Sequence, residues 1–395
     1  MSDMTDRKTK SVEEYEAPLP WHLGVYDAHC HPTDTVASLE KIATMKTKAL
    51  TIMATRDQDQ SLVAQFANAL GQAKPEDPGR FLIPAFGWHP WFSHQIWDDR
   101  GTTGSPTAEG PHGKESHYRS VLTPVPDEAD FLSSLPEPRP LSALLQDIRA
   151  HLEHYQTALI GEVGLDRAFR IPGTELLDEE YEKDPASTPG GREGRRLSRY
   201  RVDMNHQRSI LLAQLNLAGE LQRPVSVHGV AAHGTVYETL ASTWRGHERS
   251  VVSRRQKKDA RPNHPLSGED EEFPSSKVSV FAVTRSTPYP PRICLHSYSG
   301  TAGTLKQYLH PSVPVDFYFS FSSLVNFSSR SDKAVEVVKS VPDDKILVES
   351  DLHAAGDAMD ELIEKIVRTV CRIKGWSLDH GVTQLGANWK HFIFG

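Results

Sequence analysis

Two histidines, His29 and His31, lie one residue apart at the end of the short apolar stretch "GVYDAH". On a β-strand, residues two apart project to the same face, so both imidazoles would point together while Cys30 faces away. Such a pair provides half of a metal site, but His-x-His alone is not specific. Further ligands elsewhere in the chain are needed before a metal site can be predicted.

Eight short apolar runs recur along the chain, and each is nearly continuous, as expected for a parallel strand buried on both faces. They are residues 24–29, 49–55, 81–87, 158–164, 224–229, 293–299, 315–321 and 345–351. Stretches with helical periodicity lie between them, such as residues 206–222. Strands that alternate with helices indicate a parallel sheet. Eight such units predict an α/β fold of the TIM-like (β/α)₈ barrel type, with irregular surface insertions.

Active sites of this fold lie at the carboxyl ends of the strands. Side chains of the metal-ligand type are found at or near the ends of five predicted strands. They are His29, His31, Glu162, His228, His296 and Asp351. Nitrogen and oxygen donors without thiolate suit Mg²⁺, Mn²⁺ or Zn²⁺. Six donors exceed the needs of one tetrahedral ion, whereas two divalent ions bridged by a carboxylate would use them all. Glu162 is central in strand order and is the best candidate for the bridge.

The chemistry predicted for this centre is hydrolysis. A divalent ion lowers the pKa of its bound water toward about 7, which makes hydroxide available at neutral pH. Asp351 can then act as a ligand and as the general base, so Asp351 and Glu162 are the predicted catalytic residues. Ordinary explanations exist for each residue alone, such as a helix cap at Asp351 or an ion pair at Glu162. Taken together, so many buried polar groups are hard to satisfy without a cation.

Composition excludes several classes of protein. The 395 residues are 38% apolar and carry a formal net charge of −8, so the surface as a whole does not attract nucleic acid. Three cysteines fit a reducing compartment better than a disulfide framework, and we expect an intracellular protein, cytoplasmic and/or nuclear. No apolar run approaches the roughly 18–20 residues that span a membrane, so we expect no membrane association.

The predicted domain organisation is a disordered lead-in at residues 1–23 followed by one barrel domain at 24–395. The lead-in is polar and lacks the apolar stretch of a signal peptide. Three segments interrupt the barrel pattern and are interpreted as largely disordered or irregular surface insertions. They lie at about 98–138, 171–200 and 245–291.

The motifs around the candidate ligands resemble those of the TatD-type metal-dependent hydrolases of the amidohydrolase superfamily. They are "YDAHCH", "GWHPW", "IGEVGLDR", "PVSVHG", "CLHSYSG" and "LVESD", in the family's order, and "LGANWKHFIFG" resembles its closing helix. Related barrels place a carboxylated lysine where this family places the glutamate of the fourth strand. The resemblance implies a TIM-like barrel, two divalent cations, metal roles for the six residues above, and phosphodiester hydrolysis, typically as a deoxyribonuclease. The long insertions resemble those of a fungal branch.

Two segments depart from the family's pattern. An arginine usually follows closely after the fifth-strand histidine, whereas this chain reads "HGVAAHG". After the last aspartate the family usually reads like "DAPYL", whereas this chain reads "DLHAAGD". Both segments lie where the substrate should bind. Hydrolase chemistry is therefore better supported than nuclease activity.

Other residues are candidates for contact with substrate. They are His89, Arg167, His233 and His353, each of which could also make only loop or surface contacts. Trp88 and Trp91 could stack on a base or pack in the core. Basic clusters at 191–201 and 254–261 could contact DNA or simply be solvated.

Three functions are compatible with these patterns. The leading one is a two-metal phosphodiesterase acting on DNA or another phosphodiester. The second is the same metal centre acting on a small ester or amide, which the missing arginine makes plausible. The third is a non-catalytic adaptor barrel that binds a protein partner through its insertions, although an adaptor does not require six ligand-type residues.

Overall fold

A computed structural model describes residues 17–70, 81–101, 110–178, 187–251, 287–328 and 332–395. Eight parallel strands pair in chain order. They are β1 (Tyr26–Cys30), β2 (Ala49–Met53), β3 (Phe81–Phe86), β4 (Leu159–Asp166), β5 (Val225–Val230), β6 (Arg292–Leu295), β7 (Asp316–Phe321) and β8 (Ile346–Val348). The Asp351 N–H donates to the His29 carbonyl at 3.1 Å, and the His31 N–H donates to the Leu352 carbonyl at 2.9 Å. These bonds join the two ends of the sheet, and the predicted TIM-like barrel is confirmed.

Helices lie in the connections between the strands and after the last strand. They are α1 (Asp57–Leu70), α2 (Gly110–Val121), α3 (Ala129–Ser134), α4 (Leu141–His154), α5 (Met204–Glu220), α6 (His233–Thr243), α7 (Ala302–Tyr308), α8 (Asp332–Ser340), α9 (Asp357–Lys374) and α10 (Leu378–Phe394). The connection after β1 is a 3₁₀-helix, Val36–Thr44. Among the helices of the described residues, none combines the length and the apolar character that crossing a bilayer requires.

The closing helix α10 covers the amino-terminal end of the barrel. Trp389 stacks on Tyr26 with ring centroids 4.6 Å apart, and Phe392 lies 5.3 Å from Tyr318. The first residues of β1 to β4 belong to the same buried apolar cluster as Trp389 and Phe392. One end of the barrel is therefore filled with apolar side chains, which leaves the carboxyl end for polar chemistry.

The end of the predicted lead-in is ordered. Leu19 is buried in the main apolar core, and Trp21–Leu23 forms a 3₁₀-helix. The carbonyl oxygen of Ala17 accepts a hydrogen bond from Arg368 at 2.9 Å. Residues 17–23 thus pack on the barrel because Leu19 finds an apolar site there, and residues 1–16 lie outside the described residues.

The first two insertions fold against one another, which corrects the expectation that they are largely irregular. Their described parts form a separate apolar cluster that includes Tyr118 and Phe131 from the first and Ile171 and Tyr200 from the second. Two short strands also pair across them, with Val202 opposite Leu122. Each insertion alone has too few apolar residues for a core, but the two sets complement each other. Residues 102–109, 179–186 and 252–286, which include the basic cluster 254–261, lie outside the described residues.

Three histidines join the first insertion to the barrel. Nε2 of His117, in α2, lies 2.7 Å from the carbonyl oxygen of His94. Nε2 of His206, in α5, lies 2.9 Å from the carbonyl oxygen of Ser93. Burial lowers the pKa of His94 to about 3 and that of His117 to about 4, and repulsion within the group adds to both shifts. Burial also lowers the pKa of His206. All three imidazoles are therefore neutral in the folded protein near pH 7.

We predict that this cluster makes the fold sensitive to acid. An unfolded histidine has a pKa near 6.5, so below that pH the unfolded state binds more protons, and the free energy of unfolding falls toward pH 4. His117→Gln keeps a side-chain donor but cannot be protonated, so its stability should fall less steeply. Urea unfolding at several pH values measures the slope, with His391→Gln on the exposed face of α10 as control. Identical slopes for His117→Gln and the unsubstituted protein would contradict this role.

Candidate metal centre

The six predicted ligand residues meet at the carboxyl end of the barrel. His29 lies in β1, Glu162 in β4 and His228 in β5, while His31, His296 and Asp351 follow the ends of β1, β6 and β8. All are buried except Asp351, whose side chain is 17% exposed. Side chains that are distant in sequence thus converge because the parallel strands end together.

Glu162 lies at the centre of the cluster, and its two carboxylate oxygens face different pairs of histidines. Oε2 lies 3.5 Å from His29 Nε2 and 3.4 Å from His31 Nε2. Oε1 lies 2.7 Å from His228 Nδ1 and 2.6 Å from His296 Nε2. Within each pair the facing ring nitrogens are 3.1 Å apart. The carboxylate therefore stands between two groups of nitrogen donors.

A glycine allows this approach. A Cβ at Gly164 of β4 would collide with the carbonyl oxygen of His228 on β5. Only a residue without a side chain lets the two strands pair so closely at this point. The close pairing brings Glu162 and His228 within contact distance.

Asp351 extends the first group of donors. Its Oδ1 atom lies 3.5 Å from His31 Nε2 and 4.0 Å from His29 Nε2. Although burial alone would raise it, the pKa of Asp351 is held below its usual range by a hydrogen bond from His31 and by the charges of His296 and His29. Asp351 is therefore ionised at neutral pH and faces both the donors and the solvent.

The electrostatics of the cluster depend on Glu162. Burial opposes its charge, but attraction to His89, His296 and His29 holds its pKa well below the usual range. Burial also opposes charge on His31, yet the carboxylates of Asp351 and Glu162 raise its pKa to about 9. The cluster is thus a set of buried imidazoles stabilised by ionised carboxylates.

The donor set suits a cation. His29, His31 and Glu162 form one group whose ligand atoms lie within 4.8 Å of one another, and His89, Glu162 and His228 form another. Imidazole nitrogen and carboxylate oxygen together are ligands for Mg²⁺, Mn²⁺ and Zn²⁺. Glu162 belongs to both of these groups, whereas a third group, made by His29, His296 and Glu349, lacks it. The two groups that share Glu162 fit a centre with this carboxylate in the middle.

Three buried groups that the sequence analysis missed hold the donors in place. Ser226 Oγ lies 2.9 Å from His29 Nδ1. Asp27 accepts hydrogen bonds from the backbone N–H of His29 at 3.0 Å and from the Ser350 hydroxyl at 2.5 Å. Asp27 therefore ties β1 to the segment after β8, where the barrel closes. Its signal in the sequence was a carboxylate inside an apolar strand, two residues before His29.

Glu349 is the third of these groups. It is fully buried, and it accepts hydrogen bonds from the Ser297 N–H at 2.7 Å and the Ser297 hydroxyl at 2.5 Å. The same oxygen, Oε1, lies 3.6 Å from His296 Nδ1. Carboxylates behind a ligating histidine increase its basicity. Among the described residues His296 Nδ1 has no hydrogen-bond partner, so Glu349 acts on His296 through its charge at 3.6 Å.

A fourth missed residue, Asp166, supports the opposite side of the centre. Its Oδ2 atom accepts a hydrogen bond from Trp91 Nε1 at 2.6 Å and lies 3.3 Å from His228 Nε2. Burial alone would raise its pKa, but hydrogen bonds from His228 and Trp91 lower it to about 2. Trp91 stacks on Phe169 at 4.6 Å and is 37% exposed, whereas Trp88 is buried in the core. Of the two tryptophans, only Trp91 lines the cavity.

The structure separates the four predicted substrate residues. His89 is buried inside the donor cluster, with Nε2 3.3 Å from Glu162 Oε1, and burial lowers its pKa to about 4. His353 lines the cavity, is 63% exposed, and binds Asp34 through Nδ1 at 2.7 Å. His233 begins α6 and lies 3.4 Å from the Ser299 hydroxyl, and Arg167 is exposed beyond β4. Neither His233 nor Arg167 lines the cavity.

The cavity over the donors has a volume of about 790 Å³. Its floor includes His31, Glu162, His228, His296 and Asp351. Its walls include parts of the second insertion, residues 187–197, and Trp91 with Phe169. This cavity is large enough for a small ligand or the end of a polymer to reach the donors.

A barrel with imidazole and carboxylate donors at the carboxyl ends of its strands is an arrangement typical of hydrolases. The chain belongs to the TatD family, since the family model described as TatD related DNase matches residues 26–393. The resemblance expected from the motifs is therefore confirmed.

Two fungal proteins are similar to this chain. The Cut9-interacting protein scn1 of Schizosaccharomyces pombe is 38% identical over 93% of this chain and 98% of its own length. An uncharacterized deoxyribonuclease of Saccharomyces cerevisiae is 26% identical over 68% of this chain and 66% of its own length. The predicted relation to a fungal branch agrees with both.

Solved structures support the fold. A TatD homologue of Escherichia coli K12, YJJV, aligns with a TM-score of 0.50 and 15% identity over 94% of this chain and 98% of its own. A TatD family hydrolase of Entamoeba histolytica aligns with a TM-score of 0.51 and 12% identity over 94% of this chain and 98% of its own. At this identity the two structures establish the shared barrel.

Glu349 provides a test of how the centre is held. Glu349→Gln keeps the size of the side chain but replaces a carboxylate behind His296, so we expect Mn²⁺ affinity to fall about tenfold to a hundredfold. Calorimetric titration of EDTA-treated, dialysed protein measures this. The control is Glu336→Gln on the exposed face of α8, which should bind Mn²⁺ normally. Unchanged affinity in Glu349→Gln would show that the carboxylate does not act on the centre.

Proposed function

We propose that this protein is a divalent-metal-dependent phosphodiesterase and that DNA is its substrate. The observation that carries the proposal is the position of Glu162, whose two oxygens face two separate sets of donors. The family and the fungal relative named as a deoxyribonuclease support the same chemistry.

Two divalent ions, Mg²⁺, Mn²⁺ or Zn²⁺, would bind on either side of Glu162. His29, His31, Asp351 and Oε2 would hold one, and His228, His296 and Oε1 would hold the other, with His89 within reach of the second. Bound ions of this kind polarise phosphoryl oxygens and lower the pKa of a coordinated water. Because the donors are buried and orientated by hydrogen bonds, they need little rearrangement when the ions bind.

Asp351 is the proposed general base. Its pKa lies below the usual range, so the carboxylate is ionised at neutral pH and can accept a proton from the attacking water. Its side chain is partly exposed to the cavity, unlike that of Glu162. Glu162 remains ionised and keeps the imidazoles in place, which is a positioning and ligand role rather than proton transfer.

The cavity walls suit a nucleotide better than a small neutral ester. Trp91 and Phe169 form a stacked aromatic pair at one side, and Arg192 and Arg195 lie at another. Aromatic faces bind bases, and guanidinium groups bind phosphates. His353 is also in the wall and could approach a phosphate, whereas roles for Arg167 and His233 would require movement into the cavity.

Two other functions have specific support. A small ester or amide substrate is favoured by the segment "HGVAAHG", which lacks an arginine after His228. Binding of a protein partner is favoured by the relative named as a Cut9-interacting protein. Exposed Leu324 and Val325 beside the cavity offer an apolar contact for such a partner.

An intracellular location, cytoplasmic and/or nuclear, is proposed because all three cysteines are free and buried.

The central test is hydrolysis of an oligonucleotide by the purified protein. We expect release of nucleotides that stops with EDTA and returns with Mn²⁺ or Mg²⁺. Asp351→Asn should lower kcat by about a hundredfold or more, because the general base is lost. Asp344→Asn, an exposed aspartate just before β8, is the matched control and should retain activity.

A panel of small esters and amides run in parallel distinguishes the alternatives. Turnover of these compounds without turnover of any nucleic acid would replace the proposal by the second substrate class. Absence of all turnover in protein loaded with Mn²⁺ would favour the adaptor function.

A further inference from the structure

We propose that the second insertion supplies an anion subsite, made by Arg192 and Arg195, that binds a second phosphate of the substrate. The phosphate to be cleaved would lie at the donor cluster, and its neighbour along the strand would lie on these arginines. The inference rests on the proposed phosphodiesterase function. It adds that the substrate carries a second phosphate next to the scissile bond.

The first support is location. Arg192 and Arg195 line the same cavity as Glu162, His228 and Asp351. One open space therefore connects the donors with both guanidinium groups. This side of the cavity is formed by the second insertion, which is not one of the strands or helices of the barrel. The barrel pattern in the sequence therefore does not predict it.

The segment that carries the arginines is fastened to the barrel. The Thr188 N–H donates to the Asp34 carbonyl at 2.9 Å, and the Thr188 hydroxyl donates to the Thr33 carbonyl. Thr35 and Ser187 form a β-bridge beside them. The insertion is thus joined to the turn that follows His31, and the arginines have a defined position relative to the donors.

Arg56 completes this attachment. Its Nε donates to the Pro189 carbonyl at 3.1 Å, and its Nη2 donates to the Thr188 carbonyl at 3.3 Å and to Asp34 at 2.9 Å. Nη1 donates to Thr55 at 3.2 Å and to Asp59 at 3.4 Å. A guanidinium has five N–H donors, and all five are used. Arg56 therefore positions the insertion, and the anion must be bound by other arginines.

Strand geometry decides which arginines face the cavity. The strand Arg195–Leu197 pairs antiparallel with Pro172–Leu176. Side chains alternate along a strand, and Arg195 and Leu197 line the cavity while Arg196 does not. Arg196 is exposed and donates through Nε to the Leu176 carbonyl at 3.2 Å.

The two arginines hold each other in place and keep donors available. Arg192 Nε donates to the Arg195 carbonyl at 2.8 Å, and Arg195 Nε donates to the Arg192 carbonyl at 3.1 Å. Arg195 Nη2 also donates to the Gly191 carbonyl at 2.8 Å, which leaves Nη1 and the second hydrogen of Nη2 for a ligand. Among the described residues, neither guanidinium forms an ion pair with a carboxylate. Two guanidiniums with unused N–H groups suit the oxygens of a phosphate, which they can bind through paired hydrogen bonds.

The test compares two neighbouring arginines of one strand. Arg195→Glu and Arg196→Glu change the net charge equally, but only the first removes a cavity group. The probe is fluorescein-labelled hexathymidylate in EDTA at low salt, read by anisotropy. We expect Arg195→Glu to weaken binding about tenfold or more, and Arg196→Glu to weaken it less than about twofold.

Salt dependence gives a second readout. Loss of one phosphate contact on a single strand lowers the slope of log K against log salt by about 0.7, so Arg192→Glu/Arg195→Glu should lower it by about 1.4. The same double substitution should reduce kcat/KM for hexathymidylate more than for bis(4-nitrophenyl) phosphate, which has one phosphate. Thermal unfolding of each variant identifies any loss of folding.

The outcomes separate this inference from the proposed function. Equal effects of Arg195→Glu and Arg196→Glu, or no binding of the probe by the unsubstituted protein, would overturn the subsite even if the protein hydrolyses DNA. Weaker binding in Arg195→Glu alone supports the subsite even if no hydrolysis is found, and in that case the phosphodiesterase proposal fails by itself.

Discussion

The buried carboxylate of Glu162 is the charge on which the rest of the site depends. Five imidazole nitrogens lie within 3.5 Å of its two oxygens, and they come from four other strands or the residues shortly after them. Desolvated imidazoles that carry charge repel one another, which opposes their gathering at one place. The carboxylate removes that cost and leaves lone pairs directed toward the same small volume. A cation-binding centre is the function that such an arrangement supports.

The barrel positions this carboxylate by closing around it. Asp27 and the carbonyl of His29 hold the segment after β8, so Asp351 is placed by the same contacts that join the last strand to the first. Glycine at position 164 lets β4 and β5 approach closely. At the other end, Trp389 and Phe392 fill the barrel with apolar side chains. The polar cluster is therefore confined to one end and is supported by a rigid frame.

The sequence predicts the barrel and the meeting of the six donors because both follow from local patterns. Apolar runs mark the strands, and the position of each histidine or carboxylate in its run places it at the carboxyl end. The supporting residues are harder to find. Asp27, Asp166 and Glu349 lie within or beside apolar strands, and their importance follows only from contacts with partners remote in sequence. The sequence pattern also did not predict that Arg167 lies outside the cavity, because the direction of a loop side chain depends on the neighbouring elements.

The insertions illustrate a different limit of sequence analysis. The apolar residues of the two insertions, such as Tyr118, Phe131 and Tyr200, are sparse among Gly, Pro, Ser, Thr and charged residues, so each insertion taken alone resembles an irregular loop. They form a core only when the two segments meet, and that long-range contact has no local signal. The result changes the region around the donors, because the second insertion forms a wall of the cavity. Parts of the first two insertions thus line the cavity over the donor cluster.

Anomalous diffraction from crystals grown with Mn²⁺ tests the central claim most directly. The account predicts two manganese peaks on opposite sides of the Glu162 carboxylate. Oε2 should bind the ion next to His29 and His31, and Oε1 should bind the ion next to His228 and His296. A single peak, two peaks bound by the same carboxylate oxygen, or manganese that does not contact Glu162 would contradict it.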